Sequence, residues 1–194
     1  MSDSDQKSAL RQLLEEGPID PRLLAKLDLL EEMKTAVAQK DTAALREIGK
    51  KLLNNASELQ ATDLARRDAM NAAVEKANRA ADPDERTAML LEAFEFCAKT
   101  RVVAFDEAAD TDSGNAATKH LDEIAKALDA IPPGRRSALV PFLDNANRGV
   151  QAAAAVHLQA ILPERVIPIL KEIKAKDHGS AGWSAFWALP LDEH

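Results

Sequence analysis

The chain has 194 residues, enough for one well-buried core or at most two small ones. Its 25 Lys and Arg against 32 Asp and Glu leave a net charge of −7, which disfavours phosphate backbones and anionic lipid as partners and suits a basic partner or plain solubility. A single cysteine excludes an internal disulfide framework and a multi-thiolate metal site, and 4% aromatics with no Tyr, among many Ala and Leu, point to an all-α chain.

The amino terminus, "MSDSDQKSALRQ", has neither a basic n-region nor an apolar h-region, so no signal peptide is expected there. No apolar run reaches membrane-spanning length, and a cytoplasmic protein is the expectation. Ser4–Glu16 reads as a first helix, with Leu10, Leu13 and Leu14 on one side, stopped by Gly17-Pro18. Asp20-Pro21 then sets an N-cap before a proline at the first helical position. From Pro21 to about Lys40, Leu23, Leu27, Leu30, Met33 and Val37 recur at three- and four-residue steps. Asp41 caps the next helix, whose apolar face is Leu45, Ile48, Leu52 and Leu53. Ser57–Ala81 is polar and alanine-rich, and reads as a long, half-exposed helix ending before Pro83.

Asp84 to about Ala109 is the most apolar stretch, with Met89, Leu90, Leu91, Phe94, Phe96, Cys97, Val102, Val103 and Phe105 around much of its circumference. It reads as a buried helix, with Cys97 as a small core hydrophobe. "DTDSGNAATKH" is expected to break it as an internal loop around Gly114. That loop divides one all-α domain, 1–194, into a helical part, 1–112, and a carboxy-terminal part, 113–194. Ala116–Ala130 follows as a helix carrying Leu121, Ile124, Ala125 and Leu128. In all, seven to nine helices are expected.

Pro141, Leu143 and Asp144 close another helix, and "NANRG" turns the chain. Val150, Ala154, Ala155 and Leu158 then fall on one inward face, where alanine lets a partner backbone come close. Pro163-Glu164 opens a helix faced by Val166, Ile169, Leu170 and Ile173, with Pro168 near its first turn.

This pattern resembles a HEAT repeat, the paired-helix unit of α-solenoids. Pro141, Leu143, Asp144, Val150, Ala154, Ala155 and Leu158 match it, while Gln151 stands where the family has an arginine that often pairs between repeats. "SAGWSAFWAL", Ser180–Leu189, looks like the start of a further unit. More narrowly, residues 120–189 resemble a family of small bacterial HEAT-like proteins of unknown function, through "GRRSALVPFLD", the alanine-rich helix and "PERVIPILKEI". The resemblance implies antiparallel helical hairpins with HEAT-like stacking in the carboxy-terminal part. Small HEAT-like proteins of this kind occur as immunity proteins beside toxins.

Catalytic signatures are missing. There is no Gly-rich phosphate loop, no H-E-x-x-H or E-x-x-H, and only four histidines, of which His157 reads as a partly buried polar residue. HEAT-like oxygenases hold metal with His-Glu dipeptides, and none occurs in the sequence. No catalytic residue, cofactor or metal ligand is therefore expected.

The run "FDEAADTD" gathers Asp106, Glu107, Asp110 and Asp112 where a helix should end and its dipole opposes acids, and Asp122 and Glu123 would join them if the chain folds back. This is the expected partner-binding site. A docking patch for a basic partner, a divalent-cation site with oxygen ligands and a merely solvated helix end are all open readings. Arg66-Arg67, Arg135-Arg136 with Arg148, and Lys171, Lys174 and Lys176 would serve nucleic acid only if lined along one groove. Trp183, Phe186 and Trp187, three and four apart, would share one helix face, either capping the last repeat or forming a binding hot spot. The expected function is a non-catalytic binding module, most plausibly an immunity protein that covers the cleft of a basic, nuclease-type toxin. A HEAT-like DNA glycosylase and a scaffold protein are the alternatives.

Overall fold

A computed structural model describes residues 21–108 and 110–190, with side chains from Asp28 onward. The helix expected over Ser4–Glu16, the leader reading, the Asp20 cap and the side chains of Leu23 and Leu27 lie outside the described residues. Among the described residues all regular structure is helical: seven α-helices, one π-helical segment and one 3-10 segment. None of these helices is long and apolar enough to cross a membrane. The chain forms two compact units, divided between Leu64 and Ala65.

The first unit contains α1, Pro21–Ala38, and the opening turns of α2, Thr42–Arg79. Lys40 takes a left-handed φ of 56° at the turn between them. Asp41 then caps α2 by accepting from the N–H groups of Ala43 and Ala44, each at 3.0 Å. Ala36 and Ile48 are the buried apolar residues, and Lys51 lies 3.9 Å from Glu32. Val37 and Leu53, expected to face inward, are exposed instead. The sequence suggests two helices across Asn54-Asn55, yet α2 runs unbroken for 38 residues. No proline interrupts that stretch, so every backbone N–H can keep its i−4 partner.

In the second unit, the later turns of α2 bury Met70, Val74 and Ala77. Asp82 caps α3, Pro83–Val102, through the N–H groups of Asp84 and Glu85. Leu90, Phe94 and Cys97 of α3 are fully buried. Burial raises the Cys97 thiol to about 12, with Glu123 adding to the shift, which keeps it protonated and unreactive. The expected α-helix does not continue to Ala109. At Val103–Glu107 the coil widens to π geometry, closed by Ala108 N–H donating to Val103 C=O at 2.8 Å.

The expected loop around Gly114 is also helix. Asp110 starts α4, Thr111–Asp129, by accepting from the Ser113 N–H. Gly114 is buried in its first turn, where a Cβ would come within 2.5 Å of the Phe105 ring. Glycine here serves close approach rather than a bend. A turn through Gly134, φ 100°, leads to a 3-10 segment, Arg136–Asp144. The sequence suggests the end of an ordinary helix there. Pro141 has no N–H to give and would clash four residues back, which fits the tighter 3-10 coil.

Three helices complete the unit: α5, Arg148–Leu158; α6, Pro163–Lys176; and α7, Ser180–Ala188. Asn147 caps α5 through Val150 N–H. α5 packs against α3, α4, the 3-10 segment, α6 and α7. Ala152, Ala153, Ala154 and Ala155 are all buried, as are Leu143, Val150 and Leu158. Gln151, at the position of the missing arginine, donates from Nε2 to Leu143 C=O at 2.7 Å and ties α5 to the 3-10 segment.

With both Ala154 and Ala155 enclosed, Ala155→Leu overpacks the contact and is expected to cost about 1–3 kcal/mol. Ala175→Leu, on an exposed face of α6, should change stability by less than about 0.5 kcal/mol. Urea midpoints of the two variants check this pair.

Candidate functional site

The six acids expected to bind a partner do not form one patch. Asp110 is buried: one oxygen caps α4 and the other accepts from Arg66 Nη1 at 2.7 Å. Burial pushes its carboxyl up, but the Ser113 hydroxyl and N–H together with Arg66 outweigh it and hold it below the usual carboxylate range. Asp106, in the π-helical segment, accepts from the Ser180 N–H at 2.9 and 3.1 Å and from the Ser180 hydroxyl at 2.9 Å. It thereby fastens the start of α7 to the end of α3. Glu107 is partly buried and Asp112 is exposed in the first turn of α4.

The dipole argument therefore reverses. Asp110 and Asp112 stand at a helix amino terminus, where acids are favoured, and not at a carboxy terminus. Asp122 and Glu123 lie about 15 Å farther along α4 and meet other neighbours. Glu123 Oε2 is 3.0 Å from His120 Nδ1, and Asp122 Oδ1 is 3.7 Å from His157 Nε2. Among the described residues no three His, Cys, Asp or Glu side chains converge as metal ligands would.

His157 packs edge-on to Phe94, ring centroids 5.7 Å apart. Burial lowers its pKa to about 4, against the pull of Asp122 and with Arg136 and Arg101 adding to the fall. The imidazole is neutral in the folded protein near pH 7.

Several of the basic residues are drawn into internal pairs. Arg135 pairs with Asp84, Arg136 with Asp129, Arg66 with Asp110 and Lys176 with Glu172. Lys174 Nζ stands 5.2 Å from the centroid of the Phe186 ring.

The feature with the most unspent chemistry is a groove of about 700 Å³ formed where α7 meets the end of α3 and its π-helical extension. Arg101, Phe105, Asp106, Ser180, Trp183 and Trp187 are among its lining residues. Trp183 and Trp187 are 60% and 75% exposed. Phe186 sits edge-on to both, at 6.0 and 5.3 Å, and holds them as one aromatic face.

Arg101 is the opposite case, 7% exposed with Nε and Nη2 buried and unpartnered. Burial pulls its pKa below the ordinary value while Asp106 works the other way, and an arginine remains charged regardless. Sequence reasoning missed Arg101. Its signal was a charge inside the apolar run "FCAKTRVVAF", where a buried cation needs a reason. Ser180 and Phe105 join the site only through tertiary contact.

Comparison with protein-family models, with curated proteins and with solved structures gives no match.

Two outcomes follow from these placements. Asp110→Ala removes a helix cap and one side of a buried ion pair, and is expected to cost about 2–5 kcal/mol. Asp112→Asn should stay within about 0.5 kcal/mol. Equal denaturation midpoints for the two variants would place Asp110 on the surface as a free acid.

His157 gives the protein a pH dependence. Its folded pKa lies below the unfolded value, so the unfolded chain takes up the proton first. Stability is complete above about pH 6.5 and falls as pH drops toward about 4, by at most about 3 kcal/mol. His157→Gln should flatten that limb, as midpoints measured from pH 7.5 to 4 will read.

Proposed function

We propose that the protein is a non-catalytic binding module for another protein, and that its most plausible role is that of an immunity protein neutralising a basic, nuclease-type toxin in the cytoplasm. The observation that carries this reading is the aromatic face of α7, where two tryptophans stand mostly exposed on one rigid helix. Exposed Trp at a fixed spacing is costly in water and is enriched among residues that dominate interface energy. That exposure favours the hot-spot alternative over the capping one.

The net charge of −7 suits a basic partner. Glu107, Asp112 and Asp122 are the expected acids left to act at the surface, since Asp110 and Asp106 have structural work and Glu123 faces His120 and Lys119. HEAT-like stacking of the helical hairpins belongs to the same reading. The burial of Leu143, Val150, Ala154, Ala155 and Leu158 at the matching positions supports it. The internal pairing of Arg66, Arg135 and Arg136 weighs against a groove for nucleic acid.

The test is protection: the reading requires a nuclease toxin gene beside this one, and co-expression should rescue growth of cells making that nuclease, while the purified protein shows no nuclease or glycosylase turnover. In that complex Trp187→Ala should speed dissociation by at least tenfold, a cost of about 1.4 kcal/mol or more. Neutralising Glu107, Asp112 and Asp122 should slow association, with added salt reproducing the effect in the wild type and doing less to the variant. No rescue, or kinetics unchanged by all four substitutions, would overturn the reading.

A further inference from the structure

Arg101 lies near the carboxy-terminal end of α3, in a run of apolar residues, and its guanidinium is buried without a hydrogen bond at Nε or Nη2. Buried charge is normally paired, because water's solvation has been lost and nothing else replaces it. A carboxylate is close at hand, yet it does not serve. Both oxygens of Asp106 are taken by Ser180, whose N–H and hydroxyl bind them at 2.9–3.1 Å.

That arrangement depends on Gly179, where a Cβ would come within 2.7 Å of Asp106 Oδ2. The fold thus directs its nearest acid to the start of α7 and keeps the cation for something else. Arg101 lines the groove, and Nη1 is not among its buried unpartnered nitrogens, so Nη1 is the atom that meets the groove.

We propose that this groove binds a small carboxylic acid with an apolar body, the carboxylate received at Nη1 of Arg101 and the body lying against Phe105, Trp183 and Trp187. The groove's volume, about 700 Å³, is that of a small-molecule site. Its walls are chiefly apolar: Phe105, Val156, Trp183, Trp187 and Ala188. A guanidinium N–H gives a carboxylate a charge-assisted hydrogen bond, and burial of the cation strengthens it. A phosphate dianion fits less well, because Arg101 is the one Lys or Arg lining the groove and Asp106 would repel a second negative charge.

The two sources of such a ligand are an aliphatic acid and an aromatic acid. Both present the same head group, and they differ in the body that meets the tryptophans.

The protein supplies its own reporter. Trp183 and Trp187 are the chain's 2 tryptophans and both line the groove, so intrinsic emission reports its occupancy, and the Arg101 variant below separates it from the neighbouring depression that Trp183 also borders. The isolated 194-residue protein is titrated with octanoate, with 3-phenylpropionate and with the uncharged octan-1-ol. The acids should change emission saturably at sub-millimolar concentration and raise the thermal midpoint, with octan-1-ol at least about tenfold weaker. The tighter of the two acids identifies the body as aliphatic or aromatic.

Arg101→Met should weaken the acids by at least about tenfold, leave octan-1-ol unchanged, and hold or raise the thermal midpoint of the free protein, since it removes an unpaired buried charge. Thr118→Phe is a second variant that leaves Arg101 in place. Thr118 is exposed and lines the groove, so the added ring should block acids and alcohol alike. Octan-1-ol binding as tightly as octanoate, Arg101→Met binding octanoate like wild type, or no saturable change with either acid would overturn the proposal. No protein partner enters this assay, so its failure leaves the toxin-binding reading standing, and loss of that reading leaves this one intact.

Discussion

α5 spans only eleven residues, and α3, α4, α6, α7 and the 3-10 segment all press against it. A helix enclosed on that many sides has no room for large side chains around its whole circumference. Four consecutive alanines meet that constraint: each buries a methyl group, loses no rotamer freedom, and lets a neighbouring backbone approach closely. The larger core side chains stand on the surrounding elements instead, among them Phe94, Leu121, Leu143 and Leu170. Every other placement in the second unit is fitted around this narrow centre, including the stacking of Phe142 on Phe94 at 5.8 Å.

The same tightness explains the irregular end of α3. Gly149 at the start of α5 would carry its Cβ 2.2 Å from Val102, and Gly114 of α4 would carry its own into the Phe105 ring. Two helices therefore close in on the last turns of α3, and beyond Val102 the coil widens into its π-helical segment. That widened turn presents Phe105 and Asp106 to the groove and to Ser180. Close packing at the end of α3 and the open groove are linked through these few residues.

Chemically, the groove joins a buried cation to exposed indoles. Elsewhere in the second unit Arg66, Arg135 and Arg136 are paired and Phe94 is covered. Around the groove a guanidinium is buried unpaired and two indoles are left in solvent. Departures of both kinds in one place set this region apart as the part of the surface suited to binding.

Much of the architecture is legible in local chemistry. Asp41, Asp82 and Asn147 cap helices from positions where a short polar side chain reaches its neighbours' N–H groups, and Pro83 and Pro163 stand at helix starts because no N–H is needed there. Helical periodicity likewise marks Leu121, Ile124 and Leu128 as one buried face. What misleads is any residue whose role depends on a partner distant in sequence. Gly114 and its polar neighbours look like a loop by composition, and only Phe105, packed against Gly114 from the π-helical segment, makes that glycine a contact within a helix. Asp110 looks like a surface acid until Arg66, 44 residues earlier, closes on it. Arg101 looks like one more charge on a helix until its surroundings leave it without a partner. Caps, prolines and periodicity act over four residues or fewer, so the sequence by itself determined the all-helical class, the capped and proline-marked helix starts and the alanine-lined centre. Burial, ion pairing and the groove depend on which helices meet, and only the tertiary structure decided those.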